Sequence, residues 1–175
     1  MPLSHRGECF ARVGFVGNPS DGFEGKTLSF ELRNFSAEVI VREFPGTCRV
    51  ILPPHPVLDP TVFDRVDDLV EHTRMNGYYG GVRLVQAACK RFVELLTAAG
   101  LGERLKGRGF EIFYNTDIPR MVGMSGSSAI IVATMRALFA FTNITLADLG
   151  VELWAYPSVI LDIEVQELGI SAGLQ

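Results

Sequence analysis

The N-terminal third of the chain alternates apolar and polar positions with a period near two, and most of the remaining chain repeats near 3.6 residues. Residues 9–16, CFARVGFV, are rich in strand formers, and Gly17-Asn18-Pro19-Ser20-Asp21-Gly22 then breaks the pattern with turn residues. Residues 26–33 and 37–44 each read as strands, and Asn34-Phe35-Ser36 between them predicts a hairpin turn. A short strand at 49–52 stops at Pro53-Pro54.

Asp59-Pro60 has the form of an N-cap followed by proline at the first helical position. Val62, Phe63, Val66, Leu69 and Val70 then predict a helix that ends near Gly77. A second helix carries Leu84, Val85, Ala88, Phe92, Leu95 and Leu96 on one face and stops at Gly100. Residues 101–109 read as a loop, 110–114 as a strand, and 127–141 as a helix with almost no polar face, hence one buried on most sides. A short helix at 146–149 and a longer one at 157–168 complete the pattern. Strands first, then helices, then one more strand and helices predict an α+β fold: an antiparallel or mixed sheet with helices packed on it.

Composition narrows the function classes. At 175 residues and 47% hydrophobic content, one domain with a real core is expected. The net charge of −4 with scattered basic residues offers no footprint for nucleic acid. Cys9, Cys48 and Cys89 are odd in number and form no C-x-x-C pair, which fits a reducing cytosol. No segment has the length of apolar residues that a membrane span or a signal peptide needs, so the expected setting is cytoplasmic. His5, His55 and His72 show no ligand spacing.

The candidate chemistry lies at 118–131, IPRMVGMSGSSAII, where a Gly/Ser loop runs from a strand into an apolar helix. The first N–H groups of a helix lack intrahelical partners and the helix dipole is positive there, so such a loop suits a phosphate. The same residues also serve as a plain turn and N-cap. The pattern G-x-x-x-x-G-K-[ST] fails for want of lysine, G-x-G-x-x-G is absent, and G-x-S-x-G fails at Ser127.

Three segments in order resemble the GHMP kinases, the family of galactokinase, homoserine kinase and mevalonate kinase. Pro119 to Ala129, PRMVGMSGSSA, resembles the family's P-x-x-x-G-L-G-S-S-A loop, with Met124 for leucine and Ser125 as one extra residue. Ala11 to Asp21, ARVGFVGNPSD, is similar to P-G-R/K-V-x-L-x-G-E-H-x-D, with Asn18 in place of glutamate. Glu164 to Gly173, EVQELGISAG, resembles E-x-x-x-x-G-x-x-S/C-G. Within the family the segments GNPSD, NGYYGGVRL and ELGISAGLQ are most similar to the plant-type glucuronokinases.

The resemblance implies an N-terminal domain like the second domain of ribosomal protein S5, and phosphoryl transfer from MgATP to a sugar hydroxyl, the anomeric hydroxyl of glucuronate. Galactokinase-like specificity and a catalytically dead nucleotide-binding module are the alternatives. It implies that Gly123, Met124, Ser125, Gly126, Ser127, Ser128 and Ala129 cradle phosphate, and that Ser128 and Glu164 hold Mg²⁺. Glu167, one turn on, is the rival for the ligand role. Arg12 is implied as the catalytic cation, and Asn18 and Asp21 as sugar ligands. Arg83 or Arg120 is expected to meet a substrate carboxylate, and Tyr78 and Tyr79 to flank adenine or sugar or to pack. The family's catalytic aspartate would follow Gln175, so the expectation is a shortened chain without the C-terminal ferredoxin-like domain, inactive alone and prone to self-association.

Overall fold

A computed structural model of the chain describes residues 3–17, 25–52, 62–76, 82–119 and 122–170. Strands β1 (Ser4–Val16), β2 (Leu28–Glu43), β3 (Val50–Ile51), β4 (Val62–Phe63) and β5 (Phe110–Thr116) form one sheet in the order β1-β2-β5-β3-β4. The β3–β5 pair is parallel and the others antiparallel, so the sheet is mixed.

Helices α1 (Val66–Asn76), α2 (Arg83–Ala98), α3 (Gly126–Thr142) and α4 (Tyr156–Asp162) pack on it, with α3 against β1 and β2, and α2 against α3. This is the expected α+β layer. The core joins the alternating Ala37, Val39 and Val41 of β2 to Phe92 and Leu96 of α2 and to Ile131, Met135 and Leu138 of α3. Alternation on a strand and a 3.6-residue repeat on a helix present these side chains to one another.

Helix α3 lies so close to β1 that a Cβ at Gly7 would stand 1.9 Å from the carbonyl oxygen of Ala133. Glycine at that position is what lets the helix seat on the strand.

Three elements differ from the sequence pattern. The hairpin expected around Asn34-Phe35-Ser36 is a bulge within a single strand: Phe10 pairs with Ser36 and Ala11 with Leu32, leaving residues 33–35 outside the ladder. The residues that signal a turn are used here to kink the strand, and Ser36 is held by Asp117 Oδ1, which accepts its N–H at 2.7 Å. Val62 and Phe63, expected on a helix, form β4 against β3, and α1 begins at Val66. The Asp59-Pro60 cap lies outside the described residues.

The last helix, expected over 157–168, is α-helical only to Asp162 and continues as a π turn over Ile163–Glu167. No helix among the described residues is long and apolar enough to cross a membrane.

Candidate phosphate site at the start of α3

The loop before α3 is anchored by Ile118, which is buried and lies 3.5 Å from where a Cβ on Gly126 would be. Among the described residues of the loop, two take left-handed backbone angles, Gly123 at φ 73° and Ser125 at φ 54°. Glycine adopts such angles freely, whereas a serine there is strained and must be held. Strand β1 holds it: the Arg12 guanidinium donates to Ser125 Oγ at 2.6 Å, and the Arg12 N–H donates to the Met124 carbonyl at 3.3 Å.

None of the three serine hydroxyls acts as a plain cap. Ser125 occupies the N-cap position without a side-chain capping bond. Ser127 Oγ donates to Glu164 Oε1 at 2.6 Å, and Ser128 Oγ lies 3.0 Å from each oxygen of the same carboxylate. The first intrahelical bond runs from the Ala129 N–H to the Ser125 carbonyl at 3.0 Å, so the N–H groups of Gly126, Ser127 and Ser128 precede it. Donors without intrahelical partners thus sit beside two hydroxyls, a guanidinium and a carboxylate. Glu164 is only 4% exposed.

The π turn separates Glu164 from Glu167. On a regular α-helix, residues three apart lie about 60° from one another on a shared face. The wider π turn directs Glu164 to the serines of α3 and Glu167 to Lys90 of α2, whose Nζ is 2.6 Å from Glu167 Oε1.

A cleft of about 320 Å³ opens from the site between β1, β2, α3 and α4. Its polar end carries Arg12, Ser125, Ser128 and Glu164, and Val132 and Ile160 contribute to its apolar wall. Cys9 also lines it, but burial pushes that thiol up, with Arg136 pulling the other way, so it is no thiolate nucleophile at neutral pH. Cys89 is buried in the core and pushed up to about 12.

Of the residues singled out from the sequence, the structure brings together Arg12, Ser125, Gly126, Ser127, Ser128 and Glu164. Met124 contributes its carbonyl to Arg12 and packs its side chain on the core, and the Ala129 methyl is buried. Arg83 opens α2 and is not among the residues that line the cleft. Asn18, Asp21, Tyr78, Tyr79 and Arg120 lie outside the described residues. Reading the residues alone assigns Ser127 no part with the carboxylate and passes over Lys90, although the Lys90 and Glu94 spacing of one helical turn marks a charged α2 face.

The donor set fits a hard cation. Two hydroxyls and a carboxylate are oxygen ligands of the kind Mg²⁺ takes alongside phosphate and water.

The family model described as GHMP kinases N terminal domain matches residues 83–173. An Arabidopsis thaliana protein named "Probable glucuronokinase 2" is 42% identical over 173 residues, covering 99% of this chain and 44% of that relative. "Glucuronokinase 1" of the same plant is 39% identical over 173 residues, covering 99% of this chain and 45% of the relative. The chain therefore spans less than half the length of these curated relatives. The crystal structure of Methanococcus jannaschii mevalonate kinase matches with a TM-score of 0.71 at 14% identity, over 97% of this chain and 48% of that one, a likeness of fold alone.

Proposed function

The chain belongs to the GHMP kinase family through its N-terminal domain, and from that premise we propose that it is the nucleotide-binding part of an ATP-dependent sugar kinase acting on the anomeric hydroxyl of glucuronate. The observation that carries the reading is the meeting of Ser127, Ser128 and the Glu164 carboxylate at the start of α3. Glucuronate as acceptor rests on the two relatives named as glucuronokinases.

Phosphoryl transfer is mostly positioning and charge neutralisation, and each part of this site serves one of the two. The N–H groups of Gly126, Ser127 and Ser128 would bind phosphate oxygens, with the helix dipole behind them. Ser128 and Glu164 would hold Mg²⁺, which when bound neutralises phosphate charge. The hydroxyl bonds to Glu164 keep the carboxylate oriented toward that position beforehand. Arg12, fixed to Ser125, would present a guanidinium to the transferred group, and its planar fork matches phosphoryl oxygens. Asn18 and Asp21 are proposed to hold the sugar. The base that takes the acceptor proton is proposed to lie in the further length that the relatives carry.

The three cysteines are free, which supports a cytosolic setting. Leu153 and Trp154, 78% and 81% exposed, leave apolar surface ahead of α4 that supports association there with a further domain or a second copy.

Titration of the 175-residue chain with ATP, with and without Mg²⁺, tests the nucleotide site. Ser128→Ala is expected to lower the Mg²⁺-dependent affinity about tenfold or more, about 1.4 kcal/mol. Equal affinity of the variant and the parent chain would remove the assignment. The acceptor is tested by ADP release from the protein extended to the length of its relatives, with glucuronate, galacturonate or galactose. Selective turnover of glucuronate is expected, and turnover of galactose alone would reassign the acceptor.

A further inference from the structure

We infer that Lys90 is a positioning residue for the cation site: by holding Glu167 on α2 it fixes the π turn, and the turn keeps Glu164 facing Ser127 and Ser128. This rests on the nucleotide reading for its function, and on geometry alone for its structural half. Lys90 and Glu167 meet at 2.6 Å with side chains only 12% and 17% exposed, in contrast to the mostly exposed ion pairs elsewhere on the surface. The lysine is itself braced, since Glu94 lies 3.3 Å from its Nζ and is also held by Arg74 at 3.3 Å.

The turn that Lys90 restrains is short and sits at the end of α4. Its exit is Gly169 at φ 62°, after which the Ile170 N–H returns to the carbonyl of Glu164 at 2.8 Å. Glu164 is therefore tied at its backbone to the end of the turn and at its carboxylate to α3. A π turn is rare and occurs mostly as a single turn within an α-helix, so contacts around it must favour it over the regular helix. Relaxation would return Glu164 and Glu167 to one face, and the Lys90 pair on α2 opposes that. The arrangement accounts for two glutamates so close in sequence having separate tasks, one toward the ligand and one toward the scaffold.

The test has two arms, on the parent chain and on Lys90→Met, Lys90→Arg and Glu167→Gln. In the first arm, hydrogen exchange is followed in peptides covering 160–170 and, as a control, in the middle of α3. Lys90→Met and Glu167→Gln are expected to speed exchange at 163–170 about tenfold, with α3 unchanged, and Lys90→Arg to restore protection. In the second arm, ADP binding is measured with and without Mg²⁺. The Mg²⁺-dependent gain should fall about tenfold in Lys90→Met while Mg²⁺-free binding stays as in the parent chain.

Unchanged exchange at 163–170 in Lys90→Met, or equal loss of ADP binding with and without Mg²⁺, would overturn the inference. A parent chain that binds no ADP would remove the nucleotide reading, and the exchange arm would still decide whether Lys90 holds the turn. Should Lys90→Met fail to fold, Glu167→Gln, which keeps the side-chain size, gives the same readings.

Discussion

The two ends of α3 solve the same problem in opposite ways. At the C-terminal end the carbonyls left over by the helix find donors: Phe139 receives the Ile144 N–H, Ala140 the Asn143 N–H and Phe141 the Arg108 guanidinium at 3.2 Å. Arg108 also lies 3.9 Å from the centre of the Phe141 ring and reaches Glu43 at 2.9 Å. At the N-terminal end the corresponding N–H groups precede the first helical bond, and the nearby hydroxyls turn to Glu164 rather than to the backbone. One end is closed by the protein and adds stability. The other, the end we propose for a ligand, sets a strained serine of the loop beside a nearly buried carboxylate from the π turn.

The difference between the ends should break most visibly at Glu164. Glu164→Gln keeps the shape and removes the charge, so the Mg²⁺-dependent affinity for ATP should fall about 100-fold, about 2.8 kcal/mol. The melting temperature should rise by a few degrees, because a buried charge held by neutral hydroxyls is expensive to fold around. A variant that loses both binding and stability would show that the N-terminal end is structural after all.

Arg108→Met should do the reverse. Removing a guanidinium that bonds a helix carbonyl and a carboxylate is expected to lower stability by about 1–3 kcal/mol, measured by denaturant unfolding, with ATP affinity unchanged.

The smallest effect is the most discriminating. Asn143 and Ser125 are the two non-glycine residues with positive φ among the described residues, one at each end of α3. Asn143→Gly should raise stability by less than about 1 kcal/mol and leave ligand binding alone. Ser125→Gly should relieve similar strain yet weaken ATP binding, since it deletes the hydroxyl that fixes Arg12. Equal behaviour of the two variants would mean that the ends do not differ in purpose.

Much of this was legible in the residues, and the exceptions have physical causes. The apolar repeat of α3 and its Gly/Ser lead-in were plain in the sequence because burial and backbone freedom leave strong local signals. Asn34-Phe35-Ser36 misled because a bulge and a reversal use the same residue types, and only pairing with β1 and β5 distinguishes them. β4 was hidden because two residues cannot display a period. Spacing alone left Glu164 and Glu167 as rivals, since a regular helix would put both on one face, and the π turn that parts them has no local sequence signature. The bond from Arg12 to Ser125 spans 113 positions and belongs to the tertiary fold.

The bulge in β2 has a consequence for how this sequence can change. Residues 37–43 on one side of it keep strict register with β5, with Ala37, Val39 and Val41 in the core, while Ser29, Phe30 and Glu31 on the other side line the cleft. Because residues 33–35 lie outside the ladder, a residue gained or lost there is absorbed like slack in an expansion joint. A change along the wall of the cleft can thus leave the pairing of the folding half of the same strand undisturbed.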